Sequence, residues 1–168
     1  NIKKIILIDS NETQLSCLKK NLTNRNVKNI PVCFYLCSLL DTNYLNEILE
    51  KEKPQIIFHA AAYKHVDLVE DNFVYSLKNN IISLHNILNF SFKEHLEKFV
   101  FISSDKAVKP VNIMGMSKRV GEIMVSSMNK INKTDAFVSV RFGNVIGSSG
   151  SLFQIFKNQV IREIGGIH

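Results

Sequence analysis

The sequence predicts an α/β fold built as a doubly wound parallel sheet, a Rossmann-like arrangement, and three observations carry that reading. Short apolar runs alternate with longer amphipathic ones along the whole chain. The short runs are nearly continuous in hydrophobic residues, as parallel strands covered on both faces require. Small, polar and charged residues gather just after those runs, at the carboxyl ends where open α/β sheets bind their ligands. Short right-handed crossovers between the runs complete the topology.

In chain order, Lys4–Asp9 is the first predicted strand and Glu12–Leu22 the first helix. Strand Asn29–Leu36, helix Thr42–Lys51 and strand Gln55–Ala61 follow. Val69–Leu96 reads as one long helix, because Val74, Leu77, Ile81, Leu84 and Leu88 recur at helical spacing. Strand Lys98–Ser103 precedes helix Asn112–Ile131, whose Val120, Ile123, Met124, Met128 and Ile131 form a second apolar stripe expected in the core. Strand Ala136–Phe142 and helix Leu152–Ile164 close the series. No repeat or linker interrupts it, and Pro31, Pro54 and Pro110 stand at element edges, so residues 1–168 read as a single domain.

Composition narrows the function classes. The chain has 168 residues, 45% of them hydrophobic and 21% charged, which is the balance of a soluble globular protein. Runs such as Ile5–Ile8 and Val32–Cys37 are too short to span a bilayer, so no direct membrane contact is expected of this chain. Cys17, Cys33 and Cys37 lack C-x-x-C spacing; they form neither a disulfide framework nor a zinc site, and reduced thiols point to the cytoplasm. The net charge of +6 is dispersed, with no basic run longer than a pair and no interleaved aromatics. That pattern speaks against nucleic acid and leaves open a positive crevice for an anionic small molecule.

The strand ends hold the candidate chemistry: Asp9-Ser10, then His59-Ala60-Ala61-Ala62, Ser103-Ser104-Asp105-Lys106 and Arg141-Phe142-Gly143-Asn144. An acid closing a strand suits the hydroxyls of an adenosine ribose when it lies about 20 residues after a glycine-rich phosphate turn. Asp9 serves equally as a plain turn or cap beside Asn11. The first glycine is Gly115, so a dinucleotide fold would here begin at its second strand, without the first strand and the glycine loop. Adjacent Asp105 and Lys106 are, from composition alone, an ordinary surface ion pair; their place at a strand end makes them candidates for proton transfer. Met114 stands four residues before Lys118 on one helix face, and by itself reads as core packing.

Three stretches taken together carry a family resemblance: HAAAYKHVDLVEDN (59–72), SSDKAVKPVNIMGMSKRVGE (103–122) and VRFGNVIGSSGSL (140–152). They resemble the polysaccharide-biosynthesis branch of the extended short-chain dehydrogenase/reductases, and within it the membrane-type UDP-N-acetylglucosamine 4,6-dehydratases. Methionine in place of the usual catalytic tyrosine marks that subtype, and Met114 matches it. Against that family the chain reads as a partial NAD-binding domain, lacking the C-terminal substrate portion and any membrane region.

The resemblance implies NAD as cofactor, a UDP-sugar as substrate, and a homo-oligomer. It implies Asp105 as the acid and Lys106 as the base of an elimination, Ser104 bonding the sugar, and Met114 and Lys118 in the places of the tyrosine and lysine of the wider superfamily. Cofactor contacts would come from Asp9, Ser10, Ser38, Leu39, Ala60, Ala61, Ala62 and Lys118, with Asn80 bracing the active-site strand. Lys64, Arg141 and Asn144 would meet the nucleotide sugar. A nucleotide-sugar 4-epimerase is the alternative within the family, and a non-catalytic Rossmann remnant the alternative outside enzymes.

Overall fold

A computed structural model describes residues 2–24, 30–91 and 96–143. Strand β1 (Ile5–Asp9) pairs in parallel with β2 (Val32–Leu36), while β3 (Ile56–His59), β4 (Lys98–Ser104) and β5 (Phe137–Phe142) form a second parallel sheet in the order β3-β4-β5. The α/β class and the parallel pairing agree with the sequence. The expected continuous sheet is instead in two pieces, since β1 and β3 share no ladder among the described residues. One core joins them. Leu45, Ile48 and Leu49 of helix α2 (Thr42–Glu52) cluster with Leu84 and Leu88 of α5 (Ser83–Ser91) and with Phe99 and Phe101 of β4. Burying two such phenylalanines contributes up to about 3 kcal/mol each, an upper bound from area alone.

Helix α1 (Glu12–Asn24) is capped by Asn11, whose Oδ1 accepts from the Gln14 N–H at 3.0 Å. Asp41 caps α2 in the same way, accepting from the Tyr44 N–H at 3.2 Å. These capped starts follow directly from the residue types that precede the amphipathic runs.

The predicted helix Val69–Leu96 is divided into α3 (Val66–Asp71), α4 (Phe73–Leu77), a π-helical turn (Lys78–Ile82) and α5. Asn72, at φ −125° and ψ 42°, leaves the helical region and separates α3 from α4. The π-turn then inserts a residue into the winding, so the two halves of the apolar stripe no longer share one face. Leu84 and Leu88 are buried, whereas Val74 is 67% exposed.

Helix α6 (Ile113–Asn132) also departs from expectation. Val120, Ile123 and Ile131, assigned to the core, are exposed. Gly121 sets the rotation of α6, since a Cβ there would come within 2.6 Å of the Phe101 ring; Val125 and Met128 are buried in the core with Met124 packed against it, as expected of the two methionines, while the other three turn outward. Strand coverage is likewise one-sided. Burial alternates along β4, and Ile56 and Phe58 of β3 are exposed, so the expected cover on both faces is not met there. Strand β3 stops at His59, leaving Ala60 and Ala61 outside the ladder. Helix Leu152–Ile164 lies outside the described residues. Among the described residues no helix is long and apolar enough to cross a membrane.

Candidate active site

The carboxyl end of β4 runs straight into the candidate chemistry. Ser104 is extended (φ −143°, ψ 157°) and caps a one-turn 3-10 helix over Asp105–Ala107. Its hydroxyl accepts from the Lys106 N–H at 3.2 Å and donates to Asp105 Oδ1 at 2.8 Å. The same Oδ1 accepts from the Lys106 N–H at 2.9 Å and from Lys106 Nζ at 3.3 Å. Both side chains reach solvent, Asp105 at 57% and Lys106 at 41% exposure. The Ser104 hydroxyl first, and the Lys106 groups after it, hold the Asp105 carboxyl below its ordinary value. An elimination acid has to be protonated near neutrality, so this turn alone holds Asp105 in the opposite state.

Helix α6 is pressed against this turn. Asn112 caps it by accepting from the Gly115 N–H at 2.7 Å, and Glu70 of α3 accepts from the Ile113 N–H at 2.7 Å. A Cβ on Gly115 would lie 2.5 Å from the Lys106 carbonyl oxygen. Only glycine therefore permits the first turn of α6 to sit on the Lys106 backbone. Met114 is 4% exposed, so its thioether packs inward. Lys118 is also buried; its Nζ donates to the Ile102 carbonyl at 2.7 Å and stands 4.9 Å from the Phe101 ring centroid. Desolvation lowers its ammonium to about 8.

Beneath Lys118, His59 stacks between Phe99 and Phe101 at 6.2 and 5.9 Å. Its Nε2 has no hydrogen-bond partner, and burial with the nearby Lys118 charge lowers the imidazole to about 4. His59 is therefore neutral at physiological pH, a packing residue with one unsatisfied polar atom.

Asn80 is carried on the π-turn. Its Oδ1 accepts from the Tyr63 N–H at 2.8 Å, and its Nδ2 donates to the Tyr63 carbonyl and to Ser117 Oγ, both at 3.1 Å. It thus braces the segment after β3 against α6, rather than bracing β4 itself as the sequence suggested. Ala60, Ala61 and Ala62 immediately precede the clamped Tyr63, with Ala60 and Ala61 exposed. Lys64 is exposed beside them.

The other strand ends divide between the two sheets. Asp9 uses Oδ1 to accept from the Asn11 N–H at 2.8 Å, which realises the plain turn reading, and Ser10 is exposed. The Cys37 N–H donates to the Asp9 carbonyl at 3.0 Å, tying the ends of β1 and β2 together. Ser38 Oγ accepts from the Leu40 N–H at 3.3 Å, and Leu39 packs against the core. A carboxylate, a hydroxyl and three alanines at successive strand ends fit the adenosine half of a dinucleotide in donor type and in small size.

Arg141 does not face that edge. Its register partner is Ser103, and both side chains bond Glu122 of α6. Its Nε and Nη2 each reach a Glu122 carboxylate oxygen at 2.6 Å. The Arg141 guanidinium is thus engaged in an ion pair with Glu122 and stays partly exposed. Asn144 lies outside the described residues. Sequence reasoning had passed over Glu122, although a carboxylate four residues after Lys118, on the inward stripe of an amphipathic helix, is itself a signal that a cation or hydroxyl waits inside. A groove of about 790 Å³ runs between α6 and β5 past Arg119, Asn129 and Phe137; its lining includes neither Asp105 nor Lys106.

Comparison with known proteins agrees with this fold. A family model described as polysaccharide biosynthesis protein matches residues 1–167. The chain is 40% identical over 164 residues to the probable polysaccharide biosynthesis protein EpsC of Bacillus subtilis, covering 98% of this chain and 27% of that protein. It is 31% identical over 142 residues to a UDP-N-acetylglucosamine 4,6-dehydratase (inverting) of Campylobacter jejuni, covering 77% of this chain and 42% of that one. Among solved structures, Pen from Bacillus thuringiensis superposes with a TM-score of 0.83 at 28% identity, over 96% of this chain and 48% of that chain. The chain thus spans between about a quarter and a half of the proteins it matches.

Proposed function

The chain belongs to the polysaccharide biosynthesis protein family, and from that premise we propose that it carries the catalytic turn of a nucleotide-sugar 4,6-dehydratase acting on UDP-N-acetylglucosamine. The observation that carries the reading is the Ser104-Asp105-Lys106 turn at the end of β4, an acid and a base within one hydrogen-bonded unit at the open edge of the sheet. Met114 supports it. A buried thioether at the place of the superfamily's tyrosine supplies no proton-transfer group there, so acid-base work falls to the adjacent pair.

NAD, when bound, supplies the acceptor and later the donor of the hydride that leaves carbon 4 of the sugar and returns at carbon 6. Asp9, Ser38 and Ala60 to Ala62 are the residues suited to hold its adenosine half. The ketone formed at carbon 4 of the sugar acidifies the proton at carbon 5, which Lys106 removes. Asp105 gives a proton to the departing hydroxyl at carbon 6, and Ser104 bonds the oxygen at carbon 4. For these roles the substrate has to displace the Ser104 hydroxyl from Asp105 and exclude water from the pair. That change raises the carboxyl toward neutrality.

The test is incubation of the full-length protein with NAD and UDP-N-acetylglucosamine, followed by mass spectrometry. The expected product is lighter by one water. A product of unchanged mass with inverted carbon 4 would replace the dehydratase with an epimerase.

A further inference from the structure

Resting on the dehydratase reading, we infer that Glu122 and Arg141 are the positioning residues that set the spacing between the ends of β4 and β5, and with it the geometry of the Asp105–Lys106 turn. Glu122 is 7% exposed and receives donors from three elements. Ser103 of β4 donates to Oε1 at 2.7 Å, Arg141 of β5 bonds both oxygens at 2.6 Å, and Arg119 of α6 reaches Oε2 at 3.1 Å. One carboxylate therefore fastens two adjacent strands and a helix at a single point. Bidentate pairing fixes direction as well as distance, which a single contact does not.

The point lies one step beneath the site. Asp105 is two residues beyond Ser103, and Gly143 is two residues beyond Arg141. The two ends meet there, since a Cβ on Gly143 would fall 3.9 Å from Asp105 Oδ2. On α6, Glu122 stands at the foot of the stripe that carries Lys118 and Met114 at successive turns. Clamping Glu122 fixes how α6 is rotated over β4, and so where Lys118 and the Gly115 contact with Lys106 fall. Arg141 acts through Glu122 and has no contact with the sugar in this account.

The test compares Glu122→Gln and Arg141→Lys with the wild type in the full-length protein. Each removes the bidentate clamp while keeping volume or charge. Turnover should fall about 100-fold with KM for UDP-N-acetylglucosamine within about twofold, as expected when catalytic groups shift by about an ångström while the substrate remains bound. The double variant should be no slower than the worse single one. A raised KM with unchanged kcat in Arg141→Lys would place the guanidinium on the substrate and overturn the inference, as would unaltered kinetics in both variants. An NMR comparison of Lys106 and Gly143 amide shifts separates this claim from the dehydratase reading. If the wild type loses no water from the sugar, that reading fails. Displaced shifts in Glu122→Gln still uphold the spacing role, and unmoved shifts refute it.

Discussion

Two acid–base pairs lie one layer apart at the end of β4, and their surroundings are opposite. Asp105 and Lys106 are neighbours in sequence, exposed, and joined at 3.3 Å through a turn that Ser104 caps. Glu122 and Arg141 are 19 residues apart, joined at 2.6 Å, with the carboxylate buried under four donated hydrogen bonds. An exposed pair contributes little to stability and is free to exchange partners with a ligand. A buried, fully ligated carboxylate is fixed in place, and its loss strands the groups around it. Charge pairing by itself therefore does not tell a pair free to exchange partners from a fixed one; burial and the number of donors do.

Stability measurements should separate the two pairs most sharply. Glu122→Ala, followed by urea unfolding, should cost on the order of 3 kcal/mol, because it leaves Ser103 and Arg141 without their acceptor. Asp105→Asn should leave the unfolding midpoint where it was. Equal losses in the two variants would erase the distinction.

The same contrast has a pH signature. Arg141 first, with Ser103 and Arg119, lowers the Glu122 carboxyl to about 2 from 4.5. A group whose folded value is depressed stabilises the fold above its unfolded value and loses that contribution as pH falls toward the folded one. Roughly 3 kcal/mol should accordingly disappear between about pH 4.5 and 2. His59, lowered from 6.5 to about 4, acts in the same direction at higher pH, since the unfolded chain takes up its proton first. Glu122→Gln should flatten the lower limb of the stability–pH curve and leave the limb from His59 intact.

Smaller effects sharpen the picture at the helix contact. Gly115→Ala should cost about 2 kcal/mol and slow turnover as well, because its Cβ would meet the Lys106 carbonyl. Gly143→Ala meets only an ordinary 3.9 Å contact and should leave the unfolding midpoint unchanged. Met114→Tyr should cost about 1 kcal/mol through overpacking of a buried site, with activity reduced and not restored to a tyrosine-dependent course. Thermal melts and turnover assays on the three variants check these values.

Much of this was legible in the sequence. The end of β4 announced itself to within one residue, Ser103 against the observed Ser104, because polar residues follow an uninterrupted apolar run and a capped helix begins soon after. The α/β class followed from the same alternation. Three features were hidden for physical reasons. The π-turn at Lys78–Ile82 leaves local periodicity nearly unchanged while rotating the face, so Val74 read as core. The outward turn of Val120, Ile123 and Ile131 on α6 goes with the close approach at Gly121, a tertiary contact that no local pattern encodes. The ion pair of Arg141 was hidden as well: the family resemblance directed attention to the sugar, whereas strand alternation sets Arg141 beside Ser103 with both bonded to Glu122 of α6.

The most direct test of the account is turnover by Lys106→Ala in the full-length protein with NAD and UDP-N-acetylglucosamine, alongside calorimetric binding of the nucleotide sugar. Water loss should stop while binding stays within about twofold of wild type. Full water loss in the variant would remove Lys106 from the base role and contradict the claim that this turn performs the elimination.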